Sequence, residues 1–576
     1  MRKNIRRTAA DRVAAIAIAA VVASGSALLA SPSVSMGDTG AADKVYWSDR
    51  QAPFMYGTDE ATIHAGDKFD VKDSRYRVQA RDFEDGDVTS DIRVVSNSVK
   101  PDVPGDYTVS YSVTDSDGNT ATMDTTVHVL TADSTDGDWY VKRVYQNPNT
   151  WNTRELLRMN RGDYMDRQMI GVHVPAGKSI DVSFLNSPST LAMTVDCPTN
   201  DSKTDGTRTS ISSGKTVTLK ASDSIDTVPM IKTPMLPRGD GTRQQDIRVK
   251  VEYSGDDGIG AVHFWTDGDD EKAFIDSWSA DGTHPFAYIE TRAFEGMPTW
   301  SDLSTIKRLG TMNGWASSLT AWSDYWVNVM DKYDSMLGVS IRADNPLDQR
   351  VRTKYFCRAN VNGVGGAYYN GGDHVGIHNA NMWSIFEYNW GGLHEVGHGY
   401  QGFMSVGNMY LAEVSNNIYG YQVQHDKSIY KANGEWMNFD AQETSQNAKR
   451  LNGEFKTFDD VESAGKLYVI MNVFKSIAPD NLEKAHAGFF TWARKKAQAS
   501  GATQNVDMLC RWLAEEHRID ASPYFMAWGV TIPDSTLSYL DSDDTLDRVL
   551  IAGDALTSDA ARAAYRSDNA DAPLYA

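Results

Sequence analysis

The sequence predicts a multidomain α+β protein in which β-rich segments come first and a largely helical segment comes last. The chain has 576 residues, which is enough for several domains of about 100–200 residues each. Alternating apolar and polar residues, separated by Gly- and Asp-containing turns, recur from about residue 53 to residue 253. Beyond residue 260 the spacing of apolar residues changes towards that of amphipathic helices.

The first 30 residues have the features of a secretory signal peptide. Basic residues near the start precede an apolar stretch from Val13 to Ala30, which ends in small residues. The alternative is a membrane anchor, but the stretch is rich in Ala, Ser and Gly and only just long enough to span a bilayer. We therefore predict a signal peptide at 1–30 and a linker at 31–52. The product is then secreted or associated with the cell surface, without a membrane span after cleavage.

Charge and cysteine content exclude some classes of function. The net charge of −21 disfavours a nucleic acid partner. Cys197, Cys357 and Cys510 are few, odd in number and far apart, so they do not form a disulfide framework. One bridge among them is compatible with the sequence, and buried apolar roles for all three are the reading that we favour.

Residues 53–130 predict a β-sandwich module. The segment Tyr107–Val113 alternates apolar and polar residues, a turn follows at Asp117–Asn119, and Thr125–Leu130 is a second strand. Phe83–Val88 adds another turn and strand. Together these segments resemble the small immunoglobulin-like modules of bacterial surface and secreted proteins.

A linker at 131–138 and a β-rich subdomain at 139–255 are predicted next. Residues 256–535 have the mixed pattern of an α/β core that ends in a helical lobe. Residues 536–576 form a tail without a recognisable motif. Helices are predicted at Leu319–Leu337, Asp460–Ile477, Asp480–Gln498, Val506–His517 and Pro523–Trp528.

One short motif, His394-Glu395-Val396-Gly397-His398, points to a metal site. Two histidines four residues apart share one face of a helix, so both imidazoles can reach one zinc ion. Glu395 is placed to act as a general base without binding the metal. Glu413, on a following helix, is the candidate third ligand, and this set leaves one position open as in catalytic zinc sites. The alternative is a surface helix that happens to carry two histidines, but apolar Leu393 and Val396 flank the polar residues.

The residues around the motif narrow the class of zinc enzyme. A metzincin needs Gly and His where this chain has Gln401 and Met404, so that class is excluded. A downstream Glu ligand is the thermolysin-like, or gluzincin, arrangement. Zinc aminopeptidases carry a Gly-x-Met-Glu-Asn strand before the motif, and Gly366–Asn370 lies at a similar distance. If that segment is the equivalent strand, Tyr369 stands where those aminopeptidases have Glu. If the segment is a coincidental loop, this chain lacks the acidic residue as well. Both readings favour an endopeptidase.

The run Gly391–His398, the segment Glu413–Ile418 and the later Tyr524–Gly529 closely resemble the enhancin-like metallopeptidases, over roughly Trp139 to Thr531. That family includes viral enhancins and secreted bacterial mucinases. Its members often carry additional β-sandwich or sugar-binding modules, as residues 53–130 would be.

The resemblance implies a zincin-like core with zinc ligands His394, His398 and Glu413, and with Glu395 as general base. It also implies an endopeptidase that cleaves mucin-type O-glycoproteins beside glycosylated Ser or Thr, so that the partner is such a glycoprotein and glycan binding is expected. Two alternatives stay open: a zinc peptidase without a glycan requirement, and a glycan-binding adhesin on an inactive peptidase scaffold. The four intact motif residues count against the adhesin.

Two further sets of candidates come from residue type and position. Besides the metal, the reaction needs a hydrogen-bond donor that stabilises the transition state. The candidates are Tyr368, Tyr419 and His425, and the alternative for either tyrosine is a packing role. Aromatic, amide and carboxylate side chains that suit sugar binding precede the metal motif. The alternative is that these side chains form the rim of the active-site cleft and only shape it. The candidate glycan contacts are Asp373, His378, Asn381 and Trp383.

Overall fold

The computed structural model describes residues 51–551 with gaps at 150–158, 160–164, 187–191, 237–242, 312, 346, 352, 364, 372, 378–379, 406, 433, 498–501 and 503, and the backbone of 574–575. It describes the backbone but not the side chains of residues 383 and 384. The predicted signal peptide and most of the predicted linker at 31–52 lie outside these residues.

The strands and helices are numbered in chain order. The strands of the first half are β1 Phe54–His64, β2 Val78–Asp82, β3 Gly86–Asp87, β4 Arg93–Asn97, β5 Gly105–Thr114, β6 Thr120–Leu130, β7 Asp138–Arg143, β8 Gln168–Met169, β9 Val172–His173, β10 Ser179–Asn186, β11 Ala192–Asp196, β12 Arg208–Ser212, β13 Lys215–Lys220, β14 Met230–Lys232 and β15 Arg248–Tyr253. The later strands are β16 Gly260–Ala261, β17 Phe264–Thr266, β18 Tyr288–Glu290, β19 Phe294–Met297, β20 Tyr355–Ala359, β21 Ala367–Asn370, β22 His374–Ile377, β23 Ile519–Asp520, β24 Asp547–Arg548, β25 Leu550–Ile551 and β26 Leu574–Tyr575. The α-helices are α1 Glu271–Asp281, α2 Trp300–Ile306, α3 Leu319–Leu337, α4 Trp383–Phe386, α5 Trp390–His398, α6 Asn416–His425, α7 Phe439–Leu451, α8 Ser463–Ile477, α9 Leu482–Lys496, α10 Asn505–His517, α11 Ser522–Ala527 and α12 Asp534–Asp541.

One large sheet of ten strands combines strands from both β-rich parts of the first half, while β8, β9, β11, β12 and β14 lie in smaller sheets. Its order is β13-β10-β15-β7-β1-β6-β5-β4, with β2 on β1 and β3 on β2. Strand β7 pairs antiparallel with both β1 and β15. The segment 131–138 therefore connects two parts of one sheet, and the domain limits predicted around it stay a prediction.

The predicted strand alternation explains how this sheet buries its inner face. In β5, Val109, Tyr111 and Val113 are buried while the residues between them are less so. These three side chains pack with Met55 and Met123 from neighbouring strands. This packing is what a period-2 pattern of apolar residues requires of a half-buried strand.

A mixed six-stranded sheet supports the metal motif. Its order is β17-β18-β19-β20-β22-β21. Strands β20 and β22 are parallel, and β21 turns back antiparallel to β22 at the end of the sheet. The helix α5 lies against β21 and α6. The motif helix thus lies between the last strand of this sheet and the helical lobe.

The helical lobe follows the predicted pattern closely. The prediction for Leu319–Leu337 is confirmed, and this helix ends at Gly338 in the left-handed conformation with φ of 63°. Its apolar stripe buries Trp322, Trp326 and Tyr333 against the main core. The other predicted helices appear as α8 to α11, with bounds shifted by a few residues. Helix α12 begins the region that was predicted as a tail.

The three cysteines are free and buried, so the possibility of a disulfide among them is not realised. Burial raises the pKa of the Cys357 thiol well above its usual range. Such thiols behave as small apolar side chains. Among the described helices, none is long and apolar enough to cross a membrane.

Candidate metal centre

Helix α5 presents the two motif histidines from a buried position. It begins after Asn389, whose side chain accepts a hydrogen bond from the Gly392 amide at 3.2 Å. Leu393 is fully buried, and its carbonyl accepts a hydrogen bond from the Tyr333 hydroxyl at 3.0 Å. His394 is only 8% exposed. The helix is therefore anchored at its start and along its apolar side.

Glu413 does not lie on a helix, which corrects the sequence-based expectation. It sits in a turn, and α6 begins only at Asn416. The side chain of Gln401 explains this local structure, because its amide nitrogen donates to the carbonyls of Leu411, at 3.2 Å, and Ala412. These contacts hold the chain just before Glu413 against the end of α5.

The three predicted ligands converge on one point. The Oε2 atom of Glu413 lies 3.2 Å from His394 Nε2 and 3.4 Å from His398 Nε2. The two imidazole rings are nearly perpendicular, at 86°, with centroids 4.8 Å apart. Around a tetrahedral zinc ion with bonds of about 2.0–2.1 Å, ligand atoms are about 3.3 Å apart. The spacing of these atoms therefore fits zinc.

The tautomers of the histidines also suit a metal. His394 Nδ1 lies 2.9 Å from Asn417 Oδ1, and His398 Nδ1 lies 2.9 Å from Gln401 Oε1. The amide nitrogen of Asn417 donates elsewhere, to the Glu413 carbonyl at 3.0 Å. Since both amide oxygens can only accept, each Nδ1 carries the proton and each Nε2 keeps its lone pair for the metal.

Sequence reasoning did not identify Gln401 and Asn417 as partners of the ligands. Gln401 entered that reasoning only as a residue that excludes the metzincins. The available signal is spacing: Gln401 follows His398 by three residues, and Asn417 follows Glu413 by four. Such short spacings bring side chains together once the local turn is known.

The surroundings of Glu395 and Glu413 shift the pKa values of the two carboxyl groups in opposite directions. Burial raises the pKa of Glu395, although the two nearby imidazoles oppose part of that effect. The close contacts with the imidazoles of His394 and His398 hold the pKa of Glu413 well below its usual range. Glu413 thus stays ionised as a ligand, while Glu395 is suited to exchange a proton.

Asn417 offers a test of the tautomer assignment. Asn417→Leu is expected to weaken zinc affinity by about 10–100-fold, because His394 loses the acceptor that orients its ring. Asn417→Asp keeps an oxygen in that place and is expected to retain most of the affinity. Competition with a chromophoric chelator measures both variants, and equal affinities for both would contradict the assigned role.

Tyr368 and Tyr369 occupy opposite faces of β21, because successive strand residues alternate. The hydroxyl of Tyr368 lies 2.7 Å from His374 Nε2, and its ring covers Gly376 of the paired strand. The ring of Tyr369 instead lies 6.1 Å from that of His398. The structure therefore brings Tyr369, and not the candidate donor Tyr368, to the predicted metal ligands.

The other two donor candidates are engaged away from the ligands. Tyr419 is buried, and its hydroxyl donates to the Tyr400 carbonyl at 2.6 Å. His425 is the last residue of α6, about 14 Å along the helix axis from Asn416, which touches His398. It stacks on Tyr421 with ring centroids 3.9 Å apart. Neither side chain is brought to the metal ligands.

The candidate glycan contact Asp373 lies in an ionic cluster. Its Oδ1 atom is 2.9 Å from Arg167, 2.5 Å from Arg208 and 2.5 Å from Lys232. Its Oδ2 atom is 2.9 Å from His374 Nδ1. Burial raises the pKa of Asp373, but hydrogen bonding to His374 and the charges of Arg167 and Lys232 outweigh that effect and hold the pKa far below its usual range. This carboxylate joins the hairpin β21–β22 to the β-rich segment.

Asp373→Asn is expected to destabilise the fold by about 3 kcal/mol, because buried Lys232 then lacks a counter-charge and buried Arg167 keeps only Asp196. Urea unfolding of the full chain measures this. The matched control is Asp223→Asn, which removes an exposed pair with Lys220 and should change stability by less than about 1 kcal/mol. Equal effects of the two substitutions would contradict the structural role of Asp373.

The remaining glycan candidates are only partly described. Asn381 is half-buried just before α4. Trp383 begins α4, but its side chain lies outside the described residues, as does the whole of His378. An aromatic pair not singled out from the sequence lies closer to the ligands. Trp436 stacks on Trp390 with centroids 5.0 Å apart and planes at 6°, and Trp390 lies 4.6 Å from the His394 ring.

Comparison with solved structures shows the same fold in metallopeptidases. ZmpB from Clostridium perfringens matches with a TM-score of 0.51 and 13% identity, over 70% of this chain and 80% of that chain. The M60 catalytic domain of ZmpC from Clostridium perfringens, in complex with the sialyl T antigen, matches with a TM-score of 0.50 and 14% identity, over 70% and 79%. A metallopeptidase in complex with the Tn antigen matches with a TM-score of 0.50 and 13% identity, over 70% and 76%. These identities establish likeness of fold alone.

Comparison with curated protein sequences finds no match. Two family models do match the chain. The bacterial surface protein Ig-like domain matches residues 55–129, and the family of peptidase M60, enhancin and enhancin-like proteins matches residues 307–529. The second range contains all three candidate ligands, His394, His398 and Glu413. The chain therefore carries a bacterial-surface Ig-like domain followed by a peptidase domain of the M60, enhancin-like family.

Proposed function

We propose that this protein is a secreted or surface-associated zinc endopeptidase that hydrolyses peptide bonds in O-glycosylated, mucin-like proteins. The observation that carries the proposal is the convergence of His394 Nε2, His398 Nε2 and Glu413 Oε2 at the spacing of a tetrahedral zinc site. Glu395 lies on the same helix, between the two histidines.

A bound zinc ion supplies Lewis-acid chemistry, which polarises a peptide carbonyl and lowers the pKa of water. Glu395 takes the proton from the attacking water and returns it to the leaving amine. Its burial and raised pKa suit both transfers, because the carboxyl group gains and loses a proton more readily near neutral pH. His394 and His398 are held by Asn417 and Gln401, so little reorganisation is needed during the reaction.

The sheet supports recognition of an extended peptide. Strand β21, Ala367–Asn370, is the last described strand of its sheet and contacts α5. A strand at the edge of a sheet offers backbone donors and acceptors to an added strand. A substrate that pairs there would pass beside Tyr369 and the metal ligands. This placement favours cleavage within a chain.

Recognition of a sugar is the finer part of the proposal. Two structures with this fold hold the sialyl T and Tn antigens. In this chain, Trp436 is half-buried and stacks on Trp390 beside His394, which places an aromatic surface near the ligands. Aromatic faces bind the apolar faces of sugar rings. We therefore assign Trp436 as a glycan contact, in place of the salt-bridged Asp373.

Digestion of a mucin-type glycoprotein and of its deglycosylated form tests the proposal. The zinc-loaded protein is expected to cut only the glycosylated form, and a chelator is expected to stop the cutting. Trp436→Ala should reduce cleavage several-fold while zinc content stays unchanged, and Trp315→Ala serves as a control tryptophan. New termini are identified by mass spectrometry.

Other outcomes of the digestion point to the alternatives. Equal cutting of both forms would contradict the glycan requirement and leave a general zinc peptidase. Retained glycoprotein binding without any cutting by the zinc-loaded protein would indicate the adhesin.

A further inference from the structure

A second cluster of candidate ligands lies outside the peptidase site. It consists of His263, just before β17, Asp281, the last residue of α1, and His284, in the loop that follows. Asp281 Oδ2 lies 2.7 Å from His263 Nε2 and 2.8 Å from His284 Nδ1. Two imidazoles thus share one carboxylate oxygen, as His394 and His398 share one oxygen of Glu413.

The hydrogen bonds around His263 determine which ring nitrogen carries the proton and which one directs a lone pair at the Asp281 carboxylate. The Ser277 hydroxyl donates to the Phe274 carbonyl at 3.0 Å, so its oxygen can only accept from His263 Nδ1 at 3.3 Å. With the proton on Nδ1, the lone pair of His263 Nε2 points at Asp281. Two lone pairs at 2.7 Å repel unless a cation lies between them, either a second proton or a metal ion.

His284 favours the metal ion over the proton. Its Nδ1 atom lies 2.8 Å from Asp281 Oδ2 but makes no hydrogen bond among the described residues, because the two groups are not aligned for one. Its ring lies against that of His173, with centroids 3.7 Å apart and planes tilted by 31°. His173 is buried, and its Nδ1 atom also has no hydrogen-bond partner among the described residues.

We propose that His263, Asp281 and His284 bind a divalent transition-metal ion such as Zn²⁺, with solvent as the fourth ligand. Two nitrogen donors and one oxygen donor suit zinc rather than calcium or magnesium. The three side chains are 17%, 19% and 20% exposed, which leaves a path for the ion and a place for water.

A small adjustment admits the ion. The donor atoms are about 0.5 Å closer together than around tetrahedral zinc. Gly282 ends α1 in the left-handed conformation with φ of 65°, and His284 follows it on a short loop. The ion would fasten the end of α1 to the segment before β17, and this role does not rest on the proposed peptidase activity.

Zinc stoichiometry of the full-length protein tests the proposal. The metal-free protein is titrated with Zn²⁺ alone, and bound zinc is measured after desalting. The unsubstituted chain is expected to bind two ions and Asp281→Asn one. Asp276→Asn, in the same helix and paired with exposed Lys272, is expected to keep two. His394→Gln/His398→Gln is expected to keep one.

A single ion in the unsubstituted chain that is lost in His394→Gln/His398→Gln would overturn the proposal and assign a proton to the His263–Asp281 pair. Two ions in a folded Asp281→Asn variant would overturn it as well. If circular dichroism shows that Asp281→Asn does not fold, the His394→Gln/His398→Gln chain decides: one bound ion supports the second site, and none contradicts it.

Discussion

Glu395→Gln is expected to lower the rate of peptide-bond hydrolysis by about 10²–10⁴-fold, the usual contribution of a general base. Glutamine keeps the size of the side chain but cannot take a proton from water. Glu395 is only 6% exposed, and burial raises the pKa of its carboxyl group, so the substitution removes a proton acceptor of increased basicity. Initial rates on an O-glycoprotein at saturating zinc measure the effect.

The control for Glu395→Gln is metal content. Zinc binding should stay within about threefold of the unsubstituted chain, because His394, His398 and Glu413 are unchanged. The melting temperature should also be preserved, since the substitution conserves volume. Full activity in a zinc-loaded Glu395→Gln protein would refute the role of Glu395.

Glu413→Ala is expected to lower the rate of peptide-bond hydrolysis by a comparable factor, because the protein loses its metal rather than its general base. Loss of the third ligand weakens zinc binding, and activity at limiting zinc should fall by about 10³-fold, because metal catalysis contributes several kcal/mol. The Glu413 side chain is 59% exposed, so the metal-free chain should lose less than about 1 kcal/mol of stability. Competition for zinc and thermal unfolding with and without chelator measure the two effects.

Thermal unfolding with and without chelator tests whether Glu413 is a metal ligand or a packing residue. Chelator should lower the melting temperature of the unsubstituted protein, because zinc stabilises only the folded state. The same chelator should lower the melting temperature of Glu413→Ala by clearly less, because only the cluster of His263, Asp281 and His284 can still hold zinc in that variant. An equal chelator effect on both proteins would show that Glu413 does not bind the metal.

Much of the fold follows from local patterns. The 19-residue helix at Leu319–Leu337 carries an apolar stripe and a terminal glycine, so its limits were predictable. The alternation in β5 and the turn at Asp117–Asn119 were equally clear. The continuous sheet was not predictable, because the pairing of β7 with β1 and β15 joins residues far apart in sequence.

The site shows the same division between local and long-range information. The ligand histidines share a helix face at a fixed spacing, so the sequence places them together. Tyr368 and Tyr369 differ by one residue, and only the register of β21 on β22 decides which faces the ligands. Asp373 has the chemistry of a sugar contact, but Arg167 and Lys232, more than a hundred residues away, occupy it.

The most direct test of the central claim is digestion of an O-glycoprotein in water enriched in the heavy oxygen isotope. If Glu395 activates water for attack on a peptide carbonyl, each new carboxyl terminus will carry one heavy oxygen atom. The label will be absent when zinc is removed or Glu395 is replaced by glutamine. Released sugars without new peptide termini, or unlabelled termini, would contradict a zinc-dependent peptidase built on His394, His398 and Glu413.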